Sequence, residues 1–336
     1  MAGTLPTSGV KQFAVSLPTL TQIMSRSQQR SCLIKNVTLV VDVMFVNSVP
    51  FLVLVSRNIN LITIEHTPKR TASKFGHLLQ WIINVYSRAG LNIRTIIMEN
   101  EFKPVHDHVP SVDINTTAAA EHAAEIERHI LMIKERCRGI LCTLPYKALP
   151  QLMLIHLLHF VVMWLNNFPA ATGISSTFSP QELILRTRLD YNKHCRSPFG
   201  AYYKTHRENN PTNSMLSRGT PSICLGPTGN LQGSYYFFSL VTGKVIKCCN
   251  WDELPIPQSV IDSVAHYAAK SSSLSVIVFA DRHCNPYAWP EDTIAGSNKT
   301  QQSALYPDLP ANIPGVHIAR TSNTPFQPPQ TSDEPD

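Results

Sequence analysis

A chain of 336 residues exceeds what one ordinary hydrophobic core organises, so two or three compact units with tails are expected. With 43% hydrophobic and only 15% charged residues it is neither a solvated disordered polymer nor a coiled coil, and 25 prolines argue against long uninterrupted helices throughout. The net charge of +6 is mild overall but concentrated: seven cations and three acids fall between Pro180 and Thr220, a balance that suits either a polyanionic partner or a plain solvated basic surface.

Residues 1–33 are polar and aperiodic and read as a flexible arm, with no apolar run flanked by positive charge and hence no signal peptide. Asn36–Val46 and Val49–Ser56 are β-branched apolar runs of strand length that join near Asn47 and Ser48, and Leu61–Glu65 follows as a third. This spacing predicts an antiparallel meander. Over Lys69–Ser87 the apolar period changes to three and four, which predicts an amphipathic helix stopped at Gly90. Ile93–Met98 is a strand ending on Glu99-Asn100-Glu101, and residues 102–115, with two prolines, read as loop. Thr117–Arg138 is again helical, with Gly139 placed to end it, and a further helix covers Leu149–Asn166. The order β-β-β-α-β-α-α is α/β with a mixed sheet.

The most apolar stretch, Leu152–Leu165, is shorter than the roughly 18–20 residues a bilayer crossing takes and carries His156 and His159, so it reads as a buried helix. Those two histidines at i,i+3 suit either a metal-binding face or a core. Beyond Pro198, glycines 226, 229, 233 and 243 punctuate short strands around the aromatic run Tyr235–Phe238, which predicts a small all-β, barrel-like module. The aromatics suit either base stacking or the barrel core. Nine of the last 52 residues are proline, an extended, disordered tail over 285–336. Eight cysteines without a CxxC pair read as buried or free thiols in a reducing compartment.

One acid stands inside an apolar strand. Asp42, between Val41 and Val43, needs a partner, because burying a lone carboxylate is costly. Glu99 ends the fourth strand, which in a mixed sheet can lie beside the first, and Glu127 follows the apolar stripe residue Ile126 on the next helix. Three converging carboxylates repel without a cation, and an all-oxygen set suits Mg²⁺ or Mn²⁺. Two such ions activate a hydroxyl and stabilise the leaving oxygen in phosphodiester attack. The bland alternative is a strand-turn acid and two surface glutamates. Lys134, seven residues after Glu127, lies two turns along the same helix face, where it can meet a phosphate or act as a plain surface cation.

At these residues the chain, over roughly Val37–Pro257, resembles the integrase region of a copia-type LTR retrotransposon polyprotein. Asp42 matches the first acid of that family's Asp, Asp, Glu triad, and Met98-Glu99-Asn100-Glu101-Phe102 resembles the segment carrying the second, which places Glu99 there. Ala124-Glu125-Ile126-Glu127-Arg128 resembles the segment of the third, which makes it Glu127, with Glu125 a rival. Asn166-Asn167-Phe168-Pro169, Ser179-Pro180-Gln181-Glu182, Pro198-Phe199-Gly200-Ala201-Tyr202, Cys224-Leu225-Gly226-Pro227 with Gly233-Ser234-Tyr235, and Trp251-Asp252-Glu253 follow in the family's order.

The resemblance implies an RNase H-like mixed β-sheet flanked by helices over 34–185, a basic β-module over 186–257, a short helix and strand extension over 258–284, and the tail. It implies metal-dependent DNA strand transfer with Mg²⁺ or Mn²⁺ on Asp42, Glu99 and Glu127. Lys134, Arg186, Arg188, Lys193, Arg196, Lys204 and Arg207 would hold nucleic acid. The implied partners are element ends, target DNA and further copies of the chain, with no membrane. The implied location is intracellular, nuclear when chromosomal DNA is the target and cytoplasmic otherwise. Glu99 stands where the family has aspartate; the extra methylene moves the carboxylate by roughly 1 Å, a displacement that can cost about 10²-fold in rate. The zinc module that precedes the family's core has no counterpart in residues 1–33, which hold one cysteine and no histidine. A binding remnant with an impaired metal site and an RNase H-like nuclease are the alternatives.

Overall fold

The first apolar run forms β1 (Asn36–Val46) and reverses through Asn47 and Ser48, whose φ values of 48° and 64° make the two-residue turn that suits the twist of a hairpin, into β2 (Val49–Ser56). The computed structural model describes residues 36–98, 100–115, 123–206, 219–271 and 277–281. All fall in the first of two compact units, Met1–Tyr287. The second unit, Ala288–Asp336, lies outside the described residues, as do the expected N-terminal arm, the expected tail, Glu99 and Arg207.

β3 (Ile62–His66) completes the antiparallel meander. Helix α1 (Ala72–Arg88), capped by the Thr71 hydroxyl accepting from the Lys74 N–H, carries the chain back to β4 (Asn92–Ile97), which pairs with β1 in parallel. A helical crossover is what a parallel neighbour requires. After a 3₁₀ segment (Asn100–His108), β5 (Asp113–Asn115) adds in parallel to β4, giving the order β3-β2-β1-β4-β5. Helices α2 (Ala123–Thr143) and α3 (Gln151–Asn166) follow. This is a mixed sheet flanked by helices, as expected.

Side-chain alternation on β1 sorts the two faces. Val37, Leu39, Val41, Val43 and Phe45 pack with Phe75, Leu79, Ile82 and Tyr86 of α1. Val40, Met44 and Val46 join Ile126, Ile130, Ile133 and Cys137 of α2 and the apolar side chains of α3. Asp42 shares the even parity and so belongs to the α2 face.

Short helices α4 (Pro180–Leu185) and α5 (Tyr191–His194) lead into five strands: β6 (Tyr202–His206), β7 (Gly219–Pro227), β8 (Tyr235–Ser239), β9 (Val245–Cys248) and β10 (Asn250–Glu253). Their order is β10-β6-β7-β8-β9, all antiparallel. Only Cys249 separates β9 from β10, so the chain leaves one edge of the sheet, bends, and pairs with the other edge; this curls the module in the barrel-like way expected. One face, through Ile223, Leu225 and Phe238, packs with α3, and helix α6 (Gln258–Lys270) adds Val260 and Val264 to the same cluster. The other face holds Tyr203, Cys224, Tyr235, Phe237 and Cys248. β11 (Phe279–Ala280) returns to pair with the end of β1.

Helix α3 is therefore enclosed between two layers, which accounts for an apolar stretch that runs all round it. Among the described residues, no helix is long and apolar enough to cross a membrane. Two boundaries differ from expectation. The stretch read as loop holds the 3₁₀ segment and β5, with Phe102, Val105, Val109 and Val112 buried against α1's side of the sheet. Gly139 does not end α2, which runs on to Thr143 because Ile140 and Leu141 pack on the core beyond it.

Candidate functional site

Asp42 stands midway along the central strand, opposite Val53 of β2. On the other edge of β1 the β4 ladder ends at Val40↔Ile97, and β11 begins only at Phe45↔Ala280. Residues 41–44 thus lie in a gap between two ladder partners, at the carboxyl end of a parallel strand, where α/β sheets place their ligand crevices. Asp42 is half-buried there, and the Val43 N–H donates to its Oδ1 at 2.7 Å, fixing one carboxylate oxygen against the strand.

Helix α2 covers this face. Ile126, Ile130, Ile133 and Cys137 point to the sheet, and Glu125 and Glu127 fall on opposite flanks, about 160° apart at 3.6 residues per turn. Glu125 is held by Arg57 from the β2–β3 turn, Nε donating to Oε2 at 2.8 Å. That contact ties the Glu125 flank to the β2 side and leaves Glu127, exposed to solvent, on the flank toward β1 and β4. Lys134 lies on the Glu127 flank but is only 9% exposed.

The structure brings Asp42 and α2 to one face, while Glu99 lies outside the described residues. Among the described residues, no group of three His, Cys, Asp or Glu side chains is placed to hold a metal ion. Asp42 and Glu127 supply the hard oxygen donors that Mg²⁺ or Mn²⁺ prefer, but two carboxylates, one open to solvent, do not by themselves fit a divalent-ion site.

The basic stretch is engaged locally. Arg188 Nε meets Glu182 Oε1 at 3.3 Å, and Lys193 Nζ lies 3.5 Å from Asp190 Oδ2. The Arg196 guanidinium sits 4.3 Å over the Trp251 ring. Arg186 is an exposed left-handed residue closing α4, and Lys204 is exposed on β6 opposite Asp252. Surface pairs of this kind contribute about 0–1 kcal/mol, so a phosphate can displace the acids cheaply. The Arg196–Trp251 stack was not anticipated from the sequence, because fifty-five positions separate the partners and only the pairing of β10 with β6 brings them together. The stacked pair Trp164–Phe168, with Phe168 about half exposed, was likewise missed, although its i,i+4 spacing was a usable signal.

His156 and His159 have ring centroids 6.3 Å apart, and His156 also packs on Tyr236 of β8 at 5.3 Å. Burial, with the neighbouring His159 adding to it, pushes His156 down to about 4; burial and His66 lower His159. These are neutral core histidines. The cysteines divide as expected into buried (Cys137, Cys224, Cys248) and exposed (Cys142, Cys195, Cys249) free thiols among the described residues, with burial holding Cys137 and Cys224 up at about 12.

No protein-family model matches this sequence, and no curated protein matches it. Among solved structures, the catalytic core domain of BIV integrase is similar at 15% identity, covering 44% of this chain and 93% of that chain, with a TM-score of 0.35. At so low a score the similarity carries no weight for function.

Proposed function

We propose that this chain is an integrase-type polynucleotidyl transferase of copia-like descent that acts on DNA. The reading is supported above all by one observation: Asp42 occupies the gap between β4 and β11 on the central strand, on the face covered by the helix that bears Glu127. Glu99 joins the acids on sequence grounds alone, and with it the dependence on Mg²⁺ or Mn²⁺. Lys193, Arg196, Lys204 and Arg207, with Arg186 and Arg188 before them, would bind the phosphate backbone, and joining two element ends would call for further copies of the chain.

A second reading, nucleic-acid binding without turnover, is favoured by the solvent exposure of Glu127. Strand-transfer assays with Mn²⁺ or Mg²⁺ separate the two. Product formation that Asp42→Ala abolishes and Glu99→Asp raises by about 10²-fold supports the transferase. Duplex binding without product in every version supports the remnant, and a binding constant independent of salt removes both, since phosphate contacts release counterions with a log-log slope near −0.9 per phosphate.

A further inference from the structure

A cleft of about 330 Å³ opens at the start of α1, lined by Arg70, Ala72, Phe75, Phe102, Pro104 and Val105. It lies on the α1 side of the sheet, away from the face to which Asp42 belongs. One wall is α1 and the other the 3₁₀ segment. The two pack edge to face through Phe75 and Phe102, whose ring centroids are 5.3 Å apart at 68°. Phe75, Phe102 and Val105 are almost fully buried, so the floor of the cleft is the core cluster itself. Beside the cleft the walls already touch: Gly76 leaves no room for a Cβ against that of His108. Helix and segment therefore cannot close the cleft by moving together.

Five of the six lining side chains are apolar, and Arg70 is the only charged one. Its guanidinium lies over the Phe45 ring at 5.3 Å from the centroid, which occupies one flat face of the group and leaves its N–H donors in the plane at the edge. Arg70 also has a further partner. A guanidinium carries five N–H donors, so that partner and an incoming carboxylate can be held together.

An apolar wall with one cation at its rim selects a ligand with an apolar body and one negative charge. The volume is at the lower end for ligand pockets, enough for one ring and a short chain but not for a length of peptide. A nucleotide suits it less, since its several charges would meet one cation and its polar body would lie on hydrocarbon.

We propose that this cleft binds a small aromatic carboxylic acid, its ring against Phe75, Phe102 and Val105 and its carboxylate on the Arg70 guanidinium. The ligand would brace α1 against the 3₁₀ segment. The proposal stands whether or not the chain transfers DNA strands.

The test uses the full chain and 3-phenylpropionate, with 3-phenylpropanamide as the uncharged control, followed by saturation-transfer NMR. The acid is expected to bind saturably with a Kd of about 0.1–1 mM and the amide about tenfold more weakly. Arg70→Met, at an exposed position, should leave Tm within about 2 °C and bring the acid down to the level of the amide. Ala72→Leu, which fills the cleft, should abolish binding of both. Absence of saturation up to about 10 mM acid, equal affinity for acid and amide, or an affinity unchanged by both substitutions would overturn the proposal. A clear preference for an acidic peptide carrying phenylalanine over the free acid would overturn it in favour of a protein partner. Should Ala72→Leu fail to fold, the comparison of acid and amide on Arg70→Met decides alone.

Discussion

The Asn166 side chain makes both hydrogen bonds that the end of β3 needs: its Oδ1 accepts from the Ile62 N–H at 2.9 Å and its Nδ2 donates to the Ile62 carbonyl at 2.7 Å. Replacing it with leucine leaves both backbone groups buried without partners. We expect Asn166→Leu to lose about 2–4 kcal/mol in urea denaturation. The same logic runs through the other short motifs that carried the family resemblance. Ser179 and Glu182 form a reciprocal cap on α4, the hydroxyl accepting from one backbone N–H and the carboxylate from the other. Gly226, at φ 113° on a bulge of β7, lets the strand approach Phe160 so closely that a Cβ would lie 2.6 Å from the ring. Gly200, at φ 84°, offers its carbonyl to the Tyr146 hydroxyl. These residues were legible as a pattern before their work was, since each acts across a distance in sequence that only the folded chain closes. Asp42 was legible for the opposite reason: a charge amid valines is anomalous within its own strand. The burial of Lys134 was not, because its helix position also fits a solvent-facing cation.

The strands that could be read from sequence are those long enough to show a period. β1 and β2, of 11 and 8 residues, were delimited correctly from their β-branched runs, and the positive-φ turn between them falls at the polar pair Asn47 and Ser48. β5 has three residues and shows no period at all, and Pro104 inside the 3₁₀ segment disguised that turn as loop. The end of α2 was misjudged because a glycine is only a weak stop when apolar residues beyond it have a core to enter. Gly139 is exposed, lies mid-helix, and has nothing within 4 Å of the place a Cβ would take. Gly139→Ala is accordingly expected to stabilise the protein by about 0.5–1 kcal/mol, measured as a higher denaturation midpoint at unchanged slope.

Across the molecule, the cluster beneath α2 and α3 is continuous with that beneath β7, β8 and α6: Leu157, Leu158 and Val161 belong to the same buried group as Ile223, Phe238 and Val264. The two layers meet on α3 and share it. A truncation after Leu185 strips one side of that helix, so it should bind a hydrophobic dye and unfold without a sharp transition, whereas residues 1–287 should melt in a single cooperative step. The family resemblance suggested a boundary near residue 186, and the pattern of short strands begins beyond Pro198; both record a change of sequence pattern but say nothing of which surfaces are dry.

That shared wall also bears on survival in a cell. A shortened chain that lacked its strand-rich half would expose a greasy helix and be cleared by proteolysis, whatever the state of its acids. Persistence of the folded chain is thus reason enough for both halves to be kept, with no call on the second to grip a nucleic acid.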